Sequence, residues 1–126
     1  MSKYKAANIF ISFRFAIRGL ALALRSQKNF RTDLIIGFIV IISAVLLKFS
    51  HIEMIILILT IGFMLFAELI NTVIEFVIDA YFGNKYSILA KMAKDISAGS
   101  VFIAALFSVM IGILLFLPNL LKFCFH

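Results

Sequence analysis

Met54-Ile55-Ile56-Leu57-Ile58-Leu59-Thr60-Ile61-Gly62-Phe63-Met64-Leu65-Phe66-Ala67-Glu68-Leu69-Ile70-Asn71-Thr72-Val73-Ile74-Glu75-Phe76-Val77-Ile78-Asp79 is the stretch whose reading decides this chain's fold. Up to Ala67 the run is apolar. Beyond it, Glu68, Asn71, Thr72, Glu75 and Asp79 recur at three- and four-residue spacings, so on a helix they form one stripe of carboxylates and amide. About 20 apolar residues suffice for a helix to cross hydrocarbon, and this run exceeds that length. Ionisable side chains in such a segment are costly, and they face a protein interior, a cavity or a ligand. The stretch therefore reads as a membrane-spanning helix that carries a reaction site.

Composition agrees with a bilayer setting. Of 126 residues, 64% are hydrophobic, including 15 Phe, which leaves too little polar surface to cover a soluble globule. Twelve Lys and Arg against six acids give a net charge of +6. That balance fits nucleic acid or anionic lipid as a partner, but its distribution along the chain points to membrane topology and not to nucleic acid. The single Cys, Cys124, excludes a disulfide framework or thiolate metal site within the chain. His51 and His126 stand alone. No internal repeat or low-complexity run is evident, so a single domain over residues 1–126 is expected.

Upstream, residues 1–24 combine Lys3, Lys5, Arg14 and Arg18 with Phe10, Phe13, Ile17, Leu20 and Leu24. The apolar positions repeat at three or four residues, with Arg14 and Arg18 on the opposite side. This predicts an amphipathic surface helix over about 5–25 lying in the interface plane. A cleaved signal peptide is the competing reading, but two arginines would interrupt its hydrophobic region. A polar, basic stretch from Arg25 to Asp33 follows. A first span is expected over about 30–49, with Lys48 snorkelling at its end. Ser50-His51-Ile52-Glu53 reads as a tight turn and about 53–80 as the second span. Phe82-Gly83-Asn84-Lys85 is a turn signal. Tyr86 to Asp95 reads as a short helix or an approach, and about 96–117 as an uncharged third span stopped by Pro118-Asn119.

Seven basic residues precede the first span, and Lys85, Lys91 and Lys94 lie between the second and third; only Lys48 and Lys122 fall on the other side. The positive-inside rule then predicts a multi-pass protein of the plasma (inner) membrane with a cytoplasmic N-terminus. Glu75 and Asp79 fall at the cytoplasmic end of the second span. Glu68 lies about 10 Å deeper than Glu75 at about 1.5 Å per residue.

Carboxylates at the membrane boundary near Lys94 and Asp95 have the parts for phosphoryl transfer. Mg2+ uses few protein carboxylates and keeps phosphate oxygens as ligands, so Glu75 and a nucleotide suffice to hold it. Lys94 offsets phosphate charge, Asp95 accepts from nucleotide donors, and Glu68 accepts a proton from a lipid hydroxyl, with Asn71 one turn away to orient Glu68 or the phosphate. Spacing alone leaves two alternatives open. Glu68 and Glu75 would also serve a small membrane transporter or proton relay, and Glu75 would also serve as a structural partner of Lys94 or Arg18. No P-loop or kinase Gly-rich loop is present.

The string Glu68-Leu69-Ile70-Asn71-Thr72-Val73-Ile74-Glu75 with Asp79, then Ala93-Lys94-Asp95 and Ala98-Gly99-Ser100, closely resembles the signature of the small integral-membrane bacterial diacylglycerol kinase and undecaprenol kinase family. The likeness extends through Arg18-Gly19-Leu20, Asn29-Phe30-Arg31 and Gly112 to Pro118, and the Leu-Pro ending looks more like the undecaprenol kinase branch. It implies an all-α membrane protein of a surface helix plus three spans per protomer, assembled as a homotrimer with active sites between protomers. It further implies Mg2+ and ATP acting on a lipid alcohol, undecaprenol or diacylglycerol. Carried over by position, Glu68 is the catalytic base, Glu75 a metal and nucleotide ligand, and Asn71 a neighbour of the transferred phosphate. Lys94, Asp95, Lys85 and Tyr86 fall to the nucleotide, and Arg18 to the substrate or phosphate. Two departures stand out. Gln27 occupies the place of a second metal-binding Glu, leaving an amide as a weaker metal and nucleotide contact; Asp33, six residues on, would face a different side of a helix. Asn8 stands where related sequences carry a basic residue, for which Lys5 or Arg14 would compensate.

Overall fold

A computed structural model describes residues 5–125, with side chains from Asn8 onward; Lys3, Lys5 and His126 of the sequence reading lie outside those described side chains. Four helices account for nearly all of it: α1 Lys5–Ser26, α2 Lys28–Leu46, α3 His51–Phe82 and α4 Ile88–Phe125. The last three are long and apolar enough to cross a bilayer. α3 packs against both α4 and α2, and α1 touches α2. Buried apolar residues are few. Ala44, Leu57 and Leu115 form a small core, wrapped by Val40, Phe49, Met54, Ile61, Ile111 and Phe116, at the end of the bundle where α2 turns into α3. Most other large apolar side chains face outward, as expected where lipid or another protein chain replaces water.

The α2–α3 turn comes earlier than Ser50. It occupies Leu47 to Phe49, with Lys48 at φ 59°, and Ser50 is already the N-cap of α3. The reason is a capping box: Ser50 Oγ accepts from the Glu53 N–H at 3.2 Å, and Glu53 Oε1 accepts from the Ser50 N–H at 2.9 Å. Gly83, at φ 59°, ends α3, a conformation glycine adopts without strain. Ser87 Oγ accepts from the Ala90 N–H at the start of α4.

Pro118 does not stop the third span. α4 runs unbroken from Ile88 to Phe125 with Pro118 inside it, so the expected separate helix at residues 86–95 and the span at 96–117 belong to one element. Proline removes one backbone donor. Asn119 beside it is buried, and its Nδ2 donates to the Leu115 carbonyl at 2.8 Å and to Glu53 Oε2 at 2.7 Å. The same Glu53 thus caps α3 and ties it to α4. The Phe49 and Phe116 rings, centroids 4.8 Å apart, close the same corner.

One close approach sets how α2 lies on α3. A Cβ added to buried Gly37 would come within 3.0 Å of Ile61 Cγ2. A β-carbon there makes the Ile61 side chain give way by a few tenths of an ångström, and a branched side chain overpacks the contact.

Candidate active site

Of the acid stripe, Glu68 and Thr72 turn inward and are buried, Asn71 and Glu75 are half-buried, and Asp79 is exposed. Thr72 Oγ1 donates to the Glu68 carbonyl at 2.9 Å, satisfying its hydroxyl within α3. Asn71 Nδ2 donates to Glu75 Oε1 at 3.3 Å, and Asn71 Oδ1 accepts from Ser97 Oγ of α4 at 2.7 Å. Asn71 therefore orients Glu75, not Glu68.

Glu68 has a partner the sequence reading sent elsewhere. Asp33, on the second turn of α2, brings its carboxyl within hydrogen-bonding reach of the Glu68 carboxyl across the α2–α3 contact. Asp33 Oδ2 is buried and receives no hydrogen bond from any donor among the described residues. Two acceptors therefore converge where no N–H is available, an arrangement that a hydroxyl donor or a shared proton completes. Asp33 also closes one end of an apolar groove of about 270 Å³ whose walls include Val40, Leu57, Ile61, Met64 and Val109.

At the far end of α3 the charges are paired. Lys94 of α4 forms an ion pair with Asp79, joining the two helices just before the turn between them. Lys91 pairs with Asp95 at 2.7 Å along α4. These residues, with Lys85, Tyr86 and Ser87 of the connecting turn, line a half-polar hollow of about 300 Å³. The structure thus brings Lys85, Tyr86, Lys94 and Asp95 together. Neither ion pair among the described residues involves Glu75; Lys94 is paired with Asp79.

The two remaining site candidates stand apart in their contacts. Gln27 sits at the break between α1 and α2, and its amide donates to Ser26 Oγ at 3.3 Å; no hydrogen bond joins it to Glu75. Arg18 on α1 lies 5.7 Å from the ring centre of Phe15 and is otherwise exposed. Asn8 and Arg14 are exposed as well. A second apolar hollow of about 420 Å³ opens between α1 (Gly19, Leu20, Ala23) and α3 (Leu69, Thr72, Phe76). Among the described residues no three His, Cys, Asp or Glu side chains converge as a ready metal cage.

The sequence reading named Asp33 as an alternative acid to Gln27 without its Glu68 partner, and it missed Ser97 altogether. Asp33 is reached only by tertiary contact, although an acid beside an apolar run was itself a signal. Ser97 gives no sequence signal, since an isolated Ser in a membrane-length helix ordinarily bonds its own backbone.

Comparison with known proteins locates this arrangement. The sequence pattern described as prokaryotic diacylglycerol kinase matches residues 14–116. A diacylglycerol kinase of Synechocystis sp. is 42% identical over 117 residues, 93% of this chain and 67% of that protein. An undecaprenol kinase of Bacillus subtilis is 41% identical over 111 residues, 88% of this chain and 89% of that one. The matched region takes in α2, α3, most of α4 and every acid of the site, and the chain belongs to the prokaryotic diacylglycerol kinase family.

Proposed function

We propose that this membrane kinase transfers the γ-phosphoryl group of ATP to the hydroxyl of a long-chain lipid alcohol, undecaprenol or diacylglycerol, at the cytoplasmic face of the plasma membrane. The observation that carries the reading is the layering of one helix: a buried acid, a half-buried amide and acid, then an exposed ion-paired rim. Counted from Met54 at about 1.5 Å per residue, Glu68 lies about 21 Å and Glu75 about 32 Å along α3. Against a hydrocarbon thickness of about 30 Å, Glu75 sits at the margin and Glu68 about a third of the way in. A lipid hydroxyl and a water-soluble triphosphate meet between those two depths.

The reaction follows from these positions. Glu68, with Asp33 beside it, accepts the proton of the lipid hydroxyl. The lipid oxygen forms its bond to the γ-phosphorus as the bond from that phosphorus to the β,γ-bridging oxygen breaks, and ADP leaves with the electron pair. Lys94 exchanges its Asp79 partner for phosphate oxygens, and Asp95, Lys85 and Tyr86 hold the nucleotide at the rim. Glu75 suits Mg2+, because it is an unpaired carboxylate with one oxygen fixed by Asn71, and this ion takes one or two carboxylates plus phosphate oxygens. Bound there, Mg2+ supplies charge compensation for the triphosphate. Gln27, bonded to Ser26, adds a neutral amide at most. Arg18, on the helix that flanks the second hollow, is assigned to the lipid headgroup or phosphate.

α1 lies in the interface plane with its arginines toward water, and protomers assemble as a homotrimer. The support is the family's resemblance together with the large apolar faces a single chain leaves open, such as Phe63, Phe66 and Ile70 on α3. Purified protein in mixed micelles with γ-labelled ATP, Mg2+ and either undecaprenol or diacylglycerol tests the proposal. Label on one lipid or both is expected, and the ratio of rates names the substrate. Label on neither lipid defeats the proposal.

A further inference from the structure

Six hydroxyls inside these helices share one habit. Ser26, Ser43, Thr60, Thr72, Ser100 and Ser108 each donate to the carbonyl four residues back, at 2.7–3.3 Å. That bond is the local option open to any helical Ser or Thr. Ser97 departs from it. Its Oγ crosses from α4 to α3 and donates to Asn71 Oδ1 at 2.7 Å, from a position only 5% exposed.

The consequence lies in the amide. With Oδ1 occupied by a hydroxyl, Nδ2 is the end turned toward Glu75, where it donates to Oε1 at 3.3 Å. We propose that Ser97 is a positioning residue for phosphoryl transfer, which anchors the Asn71 side chain from α4 so that Nδ2 is presented to Glu75 and to the phosphate beside it. The inference rests on the reading of Asn71 and Glu75 as phosphate-side groups. Rotating the amide by about 180° would turn a carbonyl oxygen toward a carboxylate and an anionic phosphate, which repels, or toward a bound cation, which adds a ligand. Ser97 holds the side chain where the amide spans α4 and Glu75, and the acceptor-only Glu75 carboxylate selects Nδ2 as the end that faces it. Glu75 holds one end of the amide, and Ser97 holds the other against α4. Ser97 does not line the rim hollow assigned to the nucleotide, so its removal affects turnover more than binding.

Wild type, Ser97→Ala and Ser97→Thr are compared in micelles for kcat, KM for MgATP and thermal unfolding midpoint, using whichever lipid the wild type phosphorylates. Ser97→Ala is expected to lose kcat about fivefold, the equilibrium factor of one ordinary hydrogen bond. Its KM should stay within twofold and its unfolding midpoint within a few degrees. Ser97→Thr, which keeps the hydroxyl, should restore at least half of the lost rate. Should the added methyl unfold the Thr variant, kcat of the Ala variant at an unchanged midpoint decides. The inference is overturned if kcat of Ser97→Ala stays within twofold of wild type, if its loss follows a lowered midpoint, or if a folded Thr variant fails to recover. A wild type that labels neither lipid defeats the underlying kinase reading instead, before any variant is compared.

Discussion

Asp79→Asn separates two roles for the outermost acid of the stripe. Asp79 holds Lys94, the cation assigned to the triphosphate. Both side chains are substantially exposed, 41% for Lys94 and 61% for Asp79. Ion pairs that open to water shift an equilibrium by no more than about fivefold. Asparagine keeps the shape and the acceptor oxygen while removing the charge. ATP then no longer competes with a carboxylate for Lys94, and one source of repulsion near its phosphates is gone. KM for MgATP should therefore fall about two- to fivefold at low ionic strength, with kcat unchanged within twofold. Because the screening length drops from about 10 Å at 0.1 M salt to about 3 Å at 1 M, the difference should vanish in high salt. Steady-state kinetics on wild type and variant, at two salt concentrations, measure both effects. A KM that rises tenfold or more would refute the reasoning, since Asp79 would then be holding the nucleotide or its metal directly. An unchanged KM at low salt would show that the pair does not compete with ATP at all.

Two further predictions concern the metal and the helix contact. Glu75→Gln should raise the Mg2+ concentration for half-maximal rate by about tenfold or more, as follows from losing the one carboxylate placed to hold the ion; a Mg2+ titration at saturating ATP reads this directly. Gly37→Val should depress both activity and the thermal midpoint by forcing α2 off Ile61 and Asp33 off Glu68, an overpacking cost of about 1–3 kcal/mol. Ile61→Ala in the same chain should recover much of the loss, a coupling visible in a double-mutant cycle.

How much of this was legible beforehand depends on the range over which each residue acts. Glu68, Asn71, Glu75 and Asp79 share one helix, so their spacing alone put them on one stripe. Three helices of membrane-crossing length were readable from the apolar runs, and the break at Gly83 from its turn residues. Contacts between helices were not readable. Asp33 meets Glu68 across the α2–α3 contact, where Gly37 lies close on Ile61, and Ser97 meets Asn71 through the α3–α4 packing. Lys94 pairs with Asp79, a contact between α3 and α4 that spacing along one helix does not reveal. Ser50 and Glu53 carried a legible capping signal that reads as a turn only if the N-cap geometry is overlooked. Pro118 misled for a tertiary reason: Asn119 and Glu53 tie the following turn in place, so the helix outlasts its own breaker.

The central claim is that Glu68 takes the proton while other groups hold the nucleotide. Glu68→Gln preserves size and removes the basic oxygen, and a single-turnover experiment with labelled ATP, run alongside a nucleotide-binding titration, separates the two functions. The account predicts that phosphoryl transfer falls by about 10²- to 10⁴-fold, the usual contribution of a positioned base, while the affinity for MgATP stays within about threefold. Transfer at near wild-type rate, or loss of nucleotide binding with the chemistry intact, would contradict it.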